Sequence, residues 1–179
     1  MKLLNSIGPN PKVVRMFLAE LGMSVDIEKV DLIKAENRGD VYVAKNASGT
    51  TPALELDDGT YLCEIIAICE YLDEVSDADS LIGNTAEERG ETRMWCRRID
   101  LNILETLTNG YRYSAGQALF KDRMRLIPQA ADDLKALAQE KITWLDGLME
   151  GKEFICGSRF TLADVLLFCF LEFGAQVGQ

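Results

Sequence analysis

At 179 residues the chain can bury a substantial core, as one large domain or two small ones, and its 47% apolar and 27% charged residues exclude a disordered or fibrous protein. Twenty-nine acidic against 19 basic side chains leave a net charge of −10, a field that repels nucleic acid. The absence of histidine removes the commonest general base and metal ligand, which argues against triad hydrolases and histidine-ligated zinc sites.

The opening MKLLNSIGPNPK lacks the charged and apolar regions of a secretion signal, and the longest apolar run, Val165–Leu171, is too short to span a bilayer. Lys2–Asn5 is a short strand closed by a Gly-Pro turn signal. Asn10 reads as the N-cap of a helix with Pro11 at its first position, and an apolar stripe of Val13, Val14, Phe17 and Leu21 runs to Gly22 as C-cap. Val25–Val30 alternates as a strand. A loop or short helix leads to a hairpin, Ala53–Leu56 and Thr60–Leu62, turning at Asp58-Gly59. Ile65, Ile68, Cys69 and Leu72 mark the next helix. The order β-α-β-(loop or short helix)-β-β-α predicts a mixed sheet with helices packed on it.

Residues 76–86, SDADSLIGNTA, read as a linker between a first domain at 1–76 and a second at 87–179, the linker proper being 77–86. Helical periodicity then runs from about Ala86 to Tyr111 and resumes after Pro128 through Leu134, Leu137, Ile142, Leu145 and Met149. In FTLAD, Thr161 caps a last helix with Asp164 three residues on, and Phe160 is placed to pack against Val165. The run VLLFCFLEF is apolar all round, so this helix is expected to be buried on every side. The five cysteines contain no CxxC pair and read as reduced thiols acting mostly as small apolar groups in a cytoplasmic protein.

Three segments, SIGPNPKVVRMFLAELG, KNASGTTPALELDDGTYLCEIIAICEYL and GSRFTLADVLLF, resemble the cytosolic glutathione transferase family in its own order and spacing. The likeness is to its bacterial, nu- or theta-like members. It implies a thioredoxin-like α/β domain followed by an all-α helical bundle. It also implies glutathione as co-substrate with no metal, and a two-fold homodimer with no nucleic-acid or membrane partner.

The resemblance places Thr51-Pro52 where the family has a cis-proline, whose preceding backbone pairs with the cysteinyl part of glutathione. Glu64 falls where a Glu-Ser pair holds the γ-glutamyl end, and Ile65 replaces that serine, removing one donor worth about 1.5–3 kcal/mol. Arg38, after Asn37, falls where some members bind the glycyl carboxylate. Thiol activation in the family uses Tyr, Ser or Cys near the first helix. Residues 1–15 hold neither Tyr nor Cys, and Gly8 stands where related members carry Ser or Thr. The donors left are Asn10 on the first helical turn and, second, Ser6. The electrophile is expected to meet Trp95, Arg98, Asn102, Tyr111 and Tyr113. The implied reaction is thiolate attack on a small electrophile, or peroxide or disulfide reduction. A glutathione-dependent isomerase or dehalogenase, and a non-catalytic scaffold, remain as alternatives. The six residues after Phe173 are fewer than family members carry there, which reads as a shortened C-terminus.

Overall fold

A computed structural model describes residues 1–178, which divide into two compact units, Met1–Leu81 and a second beginning at Ile82. The first unit runs β1 (Lys2–Asn5), α1 (Pro9–Glu20), β2 (Asp26–Lys29), a 3₁₀ turn (Glu36–Arg38), α2 (Asp40–Val43), β3 (Ala53–Glu55), β4 (Tyr61–Cys63) and α3 (Ile65–Glu74). The sheet order is β2-β1-β3-β4, with β1 parallel to β2 and the other pairs antiparallel. This is the thioredoxin-like arrangement that the element order implied.

Leu3 and Leu4 are both fully buried, as a central strand covered on its two faces requires. Leu4 packs with Val30, Tyr42 and Ala53 toward α2. Leu3 points the opposite way by strand alternation, toward the face where α1 packs against α3. On α1, Val13, Val14 and Phe17 are fully buried, the helical spacing read from the sequence.

Asn10 is not the N-cap. That position is Gly8 at φ 104°, and the helix begins at Pro9, with Asn10 and Pro11 in its first turn. Only glycine adopts that φ cheaply, and neither proline withholds an N–H the first turn could have used. The C-terminus closes as expected. Gly22, at φ 65°, donates to Ala19 O at 3.0 Å and Met23 to Leu18 O at 2.9 Å, a Schellman pair. Strand β2 alternates in sequence but is exposed along its whole length, because it is the sheet edge.

The second unit runs α4 (Ala86–Ile99), a π-helical turn (Asp100–Leu104), α5 (Glu105–Arg112), α6 (Gln117–Phe120), a 3₁₀ turn (Pro128–Ala130), α7 (Ala131–Leu148) and α8 (Leu162–Gln176). The periodicity from Ala86 to Tyr111 is thus interrupted by one wider turn. Thr85 and Glu88 form a capping box that starts α4. At α8, the Thr161 N–H and hydroxyl donate to the Asp164 carboxylate at 2.8 and 3.1 Å, and the Ile155 N–H donates to it at 2.9 Å. Leu162, Ala163, Val165, Leu166, Cys169 and Phe170 of α8 are buried, but Phe168 is 50% exposed, so the helix is not enclosed all round. Phe160 meets Phe154 edge-to-face at 5.5 Å, the ring contact found in place of the expected staple to Val165.

Candidate functional site at the end of the sheet

Strand pairing alone brings three sequence-distant segments together. Leu4 lies opposite Ala53 and Ala53 opposite Cys63, so the exit of β1, the entry to β3 and the exit of β4 share one end of the sheet. Ser6, Thr51-Pro52 and Glu64 sit there. The Thr51–Pro52 bond is cis, as expected. Ser6 is buried, and its hydroxyl lies 2.6 Å from the Thr51 hydroxyl and donates to Ile7 O at 3.2 Å. On the other side, Arg15 from α1 hydrogen-bonds the Asn5 side chain and donates to Ser6 O at 3.3 Å.

The loop entering Thr51 is fixed by residues that sequence reasoning did not single out. The Tyr42 hydroxyl and the Asn46 amide both donate to Thr50 O, at 2.6 and 2.9 Å. The Asn46 carbonyl accepts from the Ser48 N–H and hydroxyl, and the buried Asn37 amide donates to Gly49 O at 2.6 Å. The stretch NASGTT carries the Asx-turn chemistry that could have signalled such a loop. Gly49, at φ 59°, leaves no room for a larger residue: a Cβ would meet Asn37 O at 3.0 Å and the Arg38 guanidinium at 3.1 Å. Arg38 itself is exposed and donates to Ser48 O at 3.2 Å, against the same loop.

Burial pushes the Tyr42 hydroxyl up from 10 to about 12. Its folded form thus holds the proton longer than the unfolded chain does. The stability this contributes is complete below about pH 10 and is lost as pH climbs toward about 12. Urea midpoints at about pH 9 and about pH 11 should show that fall, and Tyr42→Phe should flatten it. Equal slopes for the parent and the variant would remove Tyr42 as its source.

Glu64 takes φ 71° and ψ 125° immediately before α3, a region a non-glycine residue occupies only when its surroundings impose it. Its carboxylate is exposed and makes no cap to the helix. The first N–H groups of α3 consequently face outward without an intrahelical partner, at the positive end of the helix dipole. Ile65 opens α3 with an apolar side chain, so any anion held there relies on backbone donors.

Asn10 lies on the first turn of α1, half-buried, and its side-chain amide has no hydrogen-bond partner among the described residues. Ser6, by contrast, already shares its hydroxyl with Thr51. The five residues named for the electrophile lie in the second unit. There Arg98 covers the Trp95 ring at 5.0 Å and accepts from the Asn102 amide at its carbonyl, 2.7 Å away. Tyr111 packs edge-to-face on Phe173 at 5.2 Å, and Tyr113 is half-buried. Cys63 and Cys156 are pushed up chiefly by burial, which makes them poor nucleophiles. Among the described residues no group of His, Cys, Asp or Glu is placed to hold a metal, and no helix is long and apolar enough to cross a membrane.

Comparison with known proteins agrees with this geometry. Residues 7–75 match the family model for the glutathione S-transferase N-terminal domain, and residues 128–173 match that for its C-terminal domain. The chain is 31% identical over 177 residues to Glutathione S-transferase 2 of Saccharomyces cerevisiae, covering 95% of this chain and 74% of that protein. It is 32% identical to GstA of Escherichia coli O157:H7, covering 99% and 84%. A solved glutathione S-transferase domain-containing protein from Marinobacter aquaeolei VT8 superposes with a TM-score of 0.93 at 34% identity, covering 99% of this chain and 88% of that one. On its sequence, its two domain matches and its fold, this chain belongs to the glutathione S-transferase family.

Proposed function

We propose that this protein binds glutathione at the sheet end and activates its thiol for attack on a small electrophile. The observation that carries this reading is the meeting of Thr51-Pro52 and Ser6 with the strained Glu64, which leads into the open N-terminus of α3.

In this reading the Thr51 main chain pairs with the cysteinyl backbone of glutathione as a short added strand. The γ-glutamyl carboxylate takes the first N–H groups of α3, and the Glu64 carboxylate takes the γ-glutamyl ammonium. Arg38, exposed beside the same loop, swings to the glycyl carboxylate. Ile65 supplies no hydroxyl, so affinity is lower than a serine would give by about tenfold to a hundredfold.

The Asn10 amide, free of other hydrogen bonds and on the first turn of α1, donates to the sulfur. Together with the helix dipole it holds the thiolate form. The thiolate forms a bond to an electrophilic carbon, and the leaving group departs with its electron pair. Reduction of a peroxide or disulfide would start from the same thiolate. A reducing cytoplasm, which keeps glutathione and the five cysteines as thiols, is the compartment this chemistry needs. Assembly as a two-fold homodimer completes the proposal, and light scattering at micromolar concentration would test it.

Ile65 favours one second reading, a family fold kept for binding partners with the chemistry lost. Retention on immobilised glutathione separates the two. The parent should be retained, and Glu64→Ala should bind about tenfold or more weakly by calorimetry. A parent that neither binds nor turns over glutathione would leave the non-catalytic reading.

A further inference from the structure

A second concavity opens beside the first, on the β2 side of β1 and wholly within the first unit. Its volume is about 630 Å³, enough for a small molecule, and Ser6 and Ile7 form part of its wall. Three large apolar side chains that line it are exposed: Ile7, Ile27 and Ile33, at 56%, 57% and 63%. They come from the β1–α1 turn, the edge strand and the segment after it. Scattered single exposures need no explanation, but three converging on one hollow do.

The charged groups of the same wall are Arg15, Lys29 and Asp31. Asp31 is taken up by Lys34, accepting its N–H at 3.0 Å and pairing with its ammonium at 3.7 Å. Arg15 is half-buried, and its guanidinium hydrogen-bonds only neutral acceptors, Asn5 Oδ1 and Ser6 O. Neither Arg15 nor Lys29 forms an ion pair among the described residues. Two cations thus face an apolar hollow in a chain whose net charge is −10.

We infer that this concavity seats the second substrate, and that this substrate is an electrophile with an apolar body and a carboxylate. The inference rests on the proposed glutathione site. Ser6 links the two hollows, since its hydroxyl meets Thr51 and its carbonyl meets Arg15. A ligand with its carboxylate on Arg15 and Lys29 and its chain on the isoleucines has its far end at the β1–α1 turn. That is where a thiolate held at Asn10 would meet it, and attack needs an approach of about 3–3.5 Å. The sulfur–carbon bond forms there, and the displaced electron pair leaves with the departing group or is protonated by water.

The test is an NMR titration of the isoleucine methyl groups with hexanoate and with its neutral counterpart hexanamide. Hexanoate should shift Ile7, Ile27 and Ile33 saturably, and hexanamide should bind at least several-fold more weakly. Lys29→Glu, an exposed change that spares the fold, should weaken hexanoate about fivefold and leave hexanamide unmoved. Arg15→Met should weaken it about tenfold or more. With glutathione present, an enone bearing a remote carboxylate should lose kcat/KM in Lys29→Glu relative to its primary amide by the same factor. Methyl groups that do not respond, or respond equally to acid and amide, overturn the inference. Methyl shifts as expected, with glutathione bound but neither enone consumed, would keep the carboxylate pocket and refute the conjugation reading.

Discussion

Asn10→Ala should lower kcat with glutathione about 10²-fold while leaving the urea midpoint almost unmoved. The rate effect follows from removing one pre-organised donor from the developing thiolate. The small stability effect follows from Gly8, not Asn10, being the N-cap of α1, and from the Asn10 amide having no hydrogen bond to lose. Ser6→Ala is the informative comparison. It breaks the 2.6 Å contact with Thr51, so it should disturb glutathione binding and raise KM more than it lowers kcat. A large kcat loss in Ser6→Ala with none in Asn10→Ala would transfer the donor role to the serine. Full activity in both would leave the thiolate to the helix dipole and backbone N–H groups.

Asp164→Ala should cost about 2–4 kcal/mol of stability, the largest effect expected of any single polar change in the second unit. The Asp164 carboxylate accepts from the Thr161 N–H, the Thr161 hydroxyl and the Ile155 N–H, all within 3.1 Å. Truncation leaves those donors facing the buried Leu162, Ala163, Val165 and Leu166. Asp164→Asn, which keeps one acceptor oxygen, should recover part of the loss. Thr143→Ala on the exposed face of α7 should stay within about 0.5 kcal/mol and serves as control. An Asp164→Ala protein as stable as the parent would show that the start of α8 is held by packing alone.

The residues state much of this architecture openly, and the exceptions have physical causes. β1 was legible because Leu3 and Leu4 sit between turn signals, and the hairpin because Asp58-Gly59 has a preferred turn geometry. The α1 cap was misplaced by two residues. The sequence rule weighs a polar side chain at Asn10, whereas the backbone is decided by the positive φ available at Gly8. The alternation Val25–Val30 suggested a half-buried strand. Ile27 nevertheless stays exposed, because position at the sheet edge is a property of the whole fold. The π turn at Asp100–Leu104 shifts helical phase too little to appear as a break in periodicity. Pro52 and Glu64 could be named from the family's pattern. The Tyr42 and Asn46 bonds to Thr50 could not, since they depend on a loop closing over a helix.

The most direct test is a crystal structure with glutathione at millimolar concentration. The cysteinyl backbone should pair with the Thr51 main chain, the γ-glutamyl carboxylate should meet the N-terminus of α3 beside Glu64, and the sulfur should lie within hydrogen-bond reach of the Asn10 amide. Glutathione bound elsewhere, or an empty sheet end at that concentration, would contradict the account.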